Sequence, residues 1–380
     1  MSKKIVIIGN GGGGSQAAAA LLTAIKENKS THQITVLSPH DYAEISVLMT
    51  KTVACGTEEH KKVIYDAVRE DGIDYIVDTC KELASDHLIT GKGTKVPFDV
   101  CIVAVGQSIP IFMPAVTDNS KVDRLAFIEK FHGQIKSAQN IVISGGPTGC
   151  EAAADIKLRN KDKSVTVVHS ADSVLNAMSA PLHPIAMDTL KNMGIDIITN
   201  DRVEKNDEEG KTVALKSGKS LPCDLLIPAH PIGGNCGFMP PETIDARNYA
   251  KVRSTFQLES TKFDNVFAMG DCSNYSPIKT YMRINDQIPT LVSNVLAFLE
   301  DKPLVAHVVS FQGQFSGPGM VCLGHDHPEG IGLGPDCPGC PGWCCWLICC
   351  CQPPHGKKIA EIKTDFNVSI KPNKGRGISK

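Results

Sequence analysis

The sequence predicts an α/β protein made of two similar parallel-sheet modules, with a smaller α+β region at the C-terminal end. Three observations carry this expectation. Short apolar runs, at 5–8 and again at 141–143, break into glycine-rich turns that open Ala-rich helical stretches. The order strand, glycine turn, helix, strand, small turn, Pro-x-Asp, strand then occurs twice, as an internal repeat. Finally, 380 residues with 42% hydrophobic and 5% aromatic content suit a globular chain with two or three cores.

In the first module the run 5–8 reads as a buried strand meeting Gly9-Asn10-Gly11-Gly12-Gly13-Gly14, just ahead of a helix. This satisfies G-x-G-x-x-G in the strand, turn and helix setting that gives the pattern its meaning. A Cβ there blocks the tight turn, the approach of backbone to a pyrophosphate and the packing of helix on strand. The helix N-terminus adds unpaired N–H groups and a partial positive charge. A Rossmann-like dinucleotide module is therefore expected, with Gly9, Gly11, Gly12, Gly13 and Gly14 as cofactor-binding positions.

Residues 33–37 read as the second strand. About 20 residues beyond the glycines such a module usually sets an acid on the ribose hydroxyls. Here that position is Ser38, a weaker partner, with Asp41 and Glu44 close enough in sequence to help. Lys51 reads either as a cation offsetting ligand phosphate charge or as an exposed lysine. The β-rich stretch 73–89, a Gly91-Lys92-Gly93 turn and Pro97-Phe98-Asp99 then lead into strand 100–105 and Gly106.

The second module repeats the plan from strand 141–143, through Ser144-Gly145-Gly146-Pro147-Thr148-Gly149-Cys150-Glu151, into an Ala-rich helix. Ser144 stands where the first glycine is expected, while Gly145, Gly146 and Gly149 remain as binding positions. Pro147 suits a first helical turn, where its missing N–H has no partner to lose. Strand 165–168 ends at His169 rather than an acid. A carboxylate there would repel a 2′-phosphate, so NADH and NADPH both stay open. Pro222-Cys223-Asp224 leads into strand 225–227, and the competing reading is a nucleotide-like fold that has lost its ligand. Strand 266–269 follows, running into Gly270-Asp271, where glycine lets backbone close on a ligand and the carboxylate accepts from a sugar-like hydroxyl. A helix is expected over 288–299.

In order and spacing, the two glycine turns, Ala104-Val105-Gly106 and Ala268-Met269-Gly270-Asp271 resemble the FAD-dependent pyridine nucleotide-disulfide oxidoreductase superfamily. The resemblance is strongest to its apoptosis-inducing-factor-like branch, which contains ferroptosis suppressor protein, near type II NADH dehydrogenases. It implies an FAD domain in two parts, 1–112 and 232–302, an NAD(P) domain at 113–231, and a C-terminal domain at 303–380. It also implies that Asp271 holds the ribityl chain of FAD, while Glu151 lies near nicotinamide and flavin. Lys279, eight residues past Asp271, matches a lysine beside the flavin, so Glu151 and Lys279 are the catalytic candidates. An arginine of the relatives falls near Thr50, with Lys51 its nearest substitute. Departures at Val105 and at Ala229-His230-Pro231 bear on affinity and rate more than on fold. The implied activity passes electrons from NAD(P)H through FAD to a quinone-type acceptor. Alternatives are a redox-sensing or nucleic-acid-binding flavoprotein, or an NAD(P)H reductase of a protein electron carrier.

A net charge of −2 gives nucleic-acid binding no electrostatic footing. A disulfide reductase needs a redox cysteine pair soon after the first helix, and only Cys55 stands there. No apolar run approaches the roughly 20 residues that span a bilayer, and Met1-Ser2-Lys3-Lys4 leads directly into a strand. A cytoplasmic protein without a cleaved targeting segment is therefore expected. Seven of fifteen cysteines crowd into CPGCPGWCCWLICCC at 337–351. Cys337 and Cys340 form a C-x-x-C pair, but the gap to a second pair is short for a zinc module, and no metal is expected. Trp343, Trp346, Leu347 and Ile348 make a patch suited to a membrane interface, which acylated cysteines would reinforce. Peripheral membrane or lipid-droplet contact through Cys344 to Cys351 is one expectation, and a buried lid over the flavin is the other. His325-Asp326-His327 reads as a solvated loop.

Overall fold

The protein is represented by a computed structural model. It describes residues 2–56, 63–67, 69–114, 120–176, 180, 182–277 and 279–308, with strands at 321–323, 331–333 and 357–358. The cysteine tract 337–351 with Trp343 and Trp346, and His325-Asp326-His327, lie outside the described residues.

In chain order the main elements are β1 (Lys4–Ile8), α1 (Gly12–Glu27), β2 (Gln33–Ser38), β3 (Ile73–Val77), β4 (Val100–Val103), α2 (Lys121–Ser137) and β5 (Asn140–Gly145). There follow α3 (Pro147–Arg159), β6 (Ser164–Val168), α4 (Leu182–Asn192), β7 (Asp196–Ile198), β8 (Leu225–Ala229), β9 (Val266–Ala268) and α5 (Tyr281–Leu299). Two compact units result, one of residues 1–133 and 229–313, the other of 134–228 with the strands beyond 314.

The first unit holds a parallel five-stranded sheet in the order β9-β4-β1-β2-β3. Central β1 shows why its sequence is uninterruptedly apolar. Ile5 and Ile7 pack with Ala17, Leu21, Leu291 and Val295 of α1 and α5, while Val6 and Ile8 pack with Val103, Phe263 and Cys272 in a second core. A strand covered on both faces has no polar side to show. Truncating Ile7 to Ala would cost about 2–5 kcal/mol.

The second unit is built around the sheet β7-β6-β5-β8, with β5, β6 and β7 parallel. Each unit adds a three-stranded antiparallel sheet, at 80–97 in the first and 203–222 in the second. The repeat extends to single hydrogen bonds. Asp99 Oδ2 accepts from the Lys4 N–H at 2.7 Å, and Asp224 Oδ2 from the Asn140 N–H at 2.8 Å. Each Pro-x-Asp carboxylate thus pins the start of its central strand.

Two expected bounds shift. The strand expected to reach residue 105 ends at Val103, and the helix expected at 288–299 begins at Tyr281. Thr280 caps that helix, its side chain accepting from the Arg283 N–H at 3.4 Å. Arg283 and Gln287 interrupt the apolar pattern yet are buried, so periodicity alone missed these turns. Pro289 sits inside α5, whose buried Leu291 and Val295 hold it against the sheet.

Candidate cofactor sites

The glycine turn of the first unit is dictated by close backbone contacts. Gly9 has φ +106°, and a Cβ on it would lie 2.5 Å from the Ala104 carbonyl oxygen; one on Gly14 would lie 1.9 Å from the Gly9 oxygen. Neither position accepts a side chain. A Cβ on Gly13 would meet Ile284 at 3.6 Å, whereas one on Gly11 would meet nothing within 4 Å. Gly12 is the first residue of α1, whose N-terminus carries no side-chain cap and no acid in its first turn. An uncapped helix end beside open space fits a pyrophosphate.

Ser38 ends β2, buried, its hydroxyl accepting from the His40 N–H at 3.4 Å. The neighbouring acids are engaged elsewhere: Asp41 accepts from the Lys121 N–H at 3.0 Å, and Glu44 from Arg124 Nε at 3.1 Å. The expectation that they assist Ser38 gives way to a role in anchoring α2. Lys51 is buried in the helix Met49–Cys55, which overturns its reading as an exposed lysine.

At the C-terminal ends of β4 and β9, Gly106 and Gly270 take left-handed φ of +66° and +70°. The Gly270 N–H donates to Gln287 Oε1 at 2.7 Å, and Asn235 fastens Gly106 and Val105 through their carbonyls at 3.1 and 3.0 Å. Beside them, Gln107 Nε2 lies 3.5 Å from Asp271 Oδ2, and the Tyr249 hydroxyl donates to Gln107 Oε1 at 3.1 Å. Lys279 Nζ donates to the Ser273 carbonyl and sits 4.8 Å from the Tyr249 ring centroid. Burial pushes the Asp271 carboxyl up to about 6 against the pull of Lys279. Burial likewise holds the Lys279 ammonium below the usual lysine range, with Asp271 opposing. The result is a partly desolvated carboxylate and ammonium that can bind hydroxyls and steady negative charge. Gln107 and Tyr249 escaped the sequence reading. Gln107 carried a signal, following directly on Gly106, whereas Tyr249 lies in an irregular segment with none.

In the second unit Gly145 ends β5, Gly146 precedes the first residue of α3 without a side-chain cap, and Gly149 is buried within α3. Ser144 lies inside the strand, and neither it nor Gly145 takes a left-handed φ. That is why serine is tolerated where the first unit requires Gly9. His169 follows β6, its Nδ1 accepting from the Ala171 N–H at 3.1 Å. A neutral ring bonded this way carries its hydrogen on Nε2, and burial holds its pKa down. That Nε2 lies 3.4 Å from where a Gly146 Cβ would stand, so the imidazole borders the glycine turn. Glu151 is the fifth residue of α3, just beyond a first turn that holds no acid. Among the described residues no group of three or more His, Cys, Asp or Glu is placed to hold a metal ion.

The model of the family described as pyridine nucleotide-disulphide oxidoreductase matches residues 3–295. The chain is similar to oxidoreductase ptaL of Pestalotiopsis fici, with 26% identity over 230 residues, 59% of this chain and 61% of that protein. It is also similar to external alternative NAD(P)H-ubiquinone oxidoreductase B1, mitochondrial, of Arabidopsis thaliana, with 24% identity over 306 residues, 66% and 53% of the two chains. Ferroptosis suppressor protein 1 of Mus musculus matches at 24% over 241 residues, 60% and 63% of the two chains. The matched stretches span less than two thirds of the length of each of these relatives.

Proposed function

The chain belongs to the pyridine nucleotide-disulphide oxidoreductase family, and from that membership we propose that it is an FAD-dependent NAD(P)H oxidoreductase delivering electrons to a quinone-type acceptor. The observation that supports this most is the joint presence, in the unit of the five-stranded parallel sheet, of the open cradle at Gly11 and the half-buried Asp271 and Lys279. FAD, when bound, supplies the two-electron chemistry. The protein supplies position and charge.

Backbone N–H groups of Gly11, Gly12, Gly13 and Gly14 receive the pyrophosphate, with Ser38 and Lys51 toward the adenosine side. Gly106 and Gly270 let the backbone close on the ligand. Asp271 accepts from a ribityl hydroxyl, and Lys279 keeps a positive charge close to where negative charge develops. In this reading residues 1–112 and 232–302 serve FAD, while 113–231 serve NAD(P)H through Gly145, Gly146, Gly149 and His169. Glu151 positions the nicotinamide. The quinone class follows the ubiquinone in the name of the Arabidopsis relative.

No helix among the described residues is long and apolar enough to cross a membrane. A lipid-soluble acceptor still requires access to lipid, and we assign that contact to the apolar tract around Trp343 and Trp346 in an otherwise cytoplasmic protein. Changing both tryptophans to Ser should abolish liposome binding, and unchanged binding would refute the anchor. The activity is tested by reconstituting the protein with FAD and following NAD(P)H oxidation with and without a short-chain ubiquinone. Acceleration by the quinone is expected. Failure to take up FAD overturns the proposal.

A further inference from the structure

We propose that Tyr249 is a positioning residue of the candidate cofactor site: acting through Gln107, it holds the Asp271 carboxylate ready to accept a hydroxyl of the flavin's ribityl chain. The inference rests on the reading of Asp271 given above, and it assigns a role to two side chains which that reading leaves unused.

The three groups form one chain. The Tyr249 hydroxyl donates to Gln107 Oε1 at 3.1 Å, and Gln107 Nε2 lies 3.5 Å from Asp271 Oδ2. Gln107 and Tyr249 are each more than nine-tenths buried, so their polar atoms depend on partners in the protein. Both are also fixed at the backbone. The strand Gln107–Ser108 pairs antiparallel with Gly233–Gly234. The Tyr249 N–H donates to Asp245 Oδ1 at 3.0 Å, and the Asp245 N–H donates to the Tyr249 carbonyl at 2.9 Å. Gly234 leaves room for the ring, since a Cβ there would lie 2.9 Å from Tyr249 Cδ1.

The hydroxyl decides which way the amide faces. A glutamine amide has donors on one atom and acceptor lone pairs on the other. With Nε2 toward Asp271 it supports a carboxylate; turned over, it sets Oε1 against the carboxylate oxygen and opposes the charge. Turning over would also cost Tyr249 its acceptor, and its hydroxyl bonds no other group among the described residues. A buried hydroxyl proton without an acceptor is unfavourable. Tyr249 therefore locks the orientation in which Asp271 is ionised and aimed. The ring face meets the other charge, with Lys279 Nζ 4.8 Å from its centroid, a cation–π distance. Y249F keeps that contact, together with Arg247 at 5.4 Å from the centroid and the neighbouring Asp245, so it removes the hydroxyl alone.

The test is made on the apoprotein. Urea unfolding of Y249F and of Y249F/D271N from about pH 4.5 to about pH 9 gives the pH at which the stability gain from D271N levels off. That level-off marks where folded Asp271 titrates, about 6 in the wild type. Y249F should move it upward by about 0.5–1 pH unit, the worth of one net hydrogen bond. Gln107→Leu should raise it as well, and Y249F should then move it no further, because Tyr249 acts through Gln107. FAD affinity of Y249F should fall about threefold near pH 6.5 and recover near pH 8.5, where Asp271 is ionised in both proteins. A level-off unchanged by Y249F or by Q107L, or moved equally by Y249F with and without Gln107, overturns the proposal. So does a loss of FAD affinity that is the same at both pH values. A wild type that takes up no FAD overturns the reading of Asp271 beneath the proposal, a result that the apoprotein titration tells apart from a failure of Tyr249 itself.

Discussion

Asp271→Asn is expected to make the apoprotein more stable and its hold on FAD weaker. The wild-type carboxyl is pushed from 3.8 to about 6, burial outweighing the attraction of Lys279. An acid whose folded-state pKa lies above its unfolded one stabilises the fold most fully when protonated. Stability is lost as pH rises from about 3.8 through about 6 and is level above that. Asn keeps the shape and acts as a permanently neutral carboxyl. The variant's advantage is then about 1 kcal/mol near pH 4.5 and about 3 kcal/mol near pH 7.5. Urea unfolding of the two apoproteins at both pH values, followed by circular dichroism, measures the gap. FAD affinity should move the other way by about 10- to 100-fold, because a charged acceptor is lost. Opposed changes in stability and binding mark a residue retained for its ligand. An Asn variant less stable than wild type near pH 7.5, or a gap that does not change with pH, would refute the reasoning.

Gly11→Ala should leave apoprotein stability within about 0.5 kcal/mol, since its Cβ meets nothing within 4 Å, yet reduce FAD affinity at least about tenfold; unaltered affinity would remove Gly11 from the cradle. Lys279 has its pKa lowered by burial, so turnover should fall on the alkaline side before the ordinary lysine value of 10.5. Lys279→Arg, which stays charged, should move that limb upward, and an identical pH profile in wild type and variant would exclude Lys279. His169→Asp places a carboxylate beside the second glycine turn and should raise the NADPH KM by about tenfold or more while sparing NADH. Equal effects on both nucleotides would place His169 away from the 2′ position.

The parts of this fold that repeat at short range were legible in the sequence. Gly9 and Gly14 are dictated by contacts within a few residues or with the adjacent strand, and Pro97-Phe98-Asp99 and Pro222-Cys223-Asp224 each announced a carboxylate that pins a neighbouring strand. What escaped depends on distant chain. Asp41 and Glu44 seemed free to help Ser38 because nothing local shows that α2 claims them. The early turns of α5 hid behind Arg283 and Gln287, polar residues that the fold buries, Gln287 against Gly270. Tyr249 and Cys236 join the surroundings of Asp271 and Cys272 only once the chain returns from the second unit. No periodicity encodes such meetings.

The central claim, that one chain holds a flavin together with its nicotinamide donor, is tested most directly by anaerobic titration of the FAD-reconstituted protein with NADH and with NADPH, watching the visible flavin bands. The account predicts bleaching complete at one equivalent of at least one nucleotide, then recovery of the bands on adding a short-chain quinone. A bound flavin that dithionite bleaches but neither nucleotide reduces would contradict it.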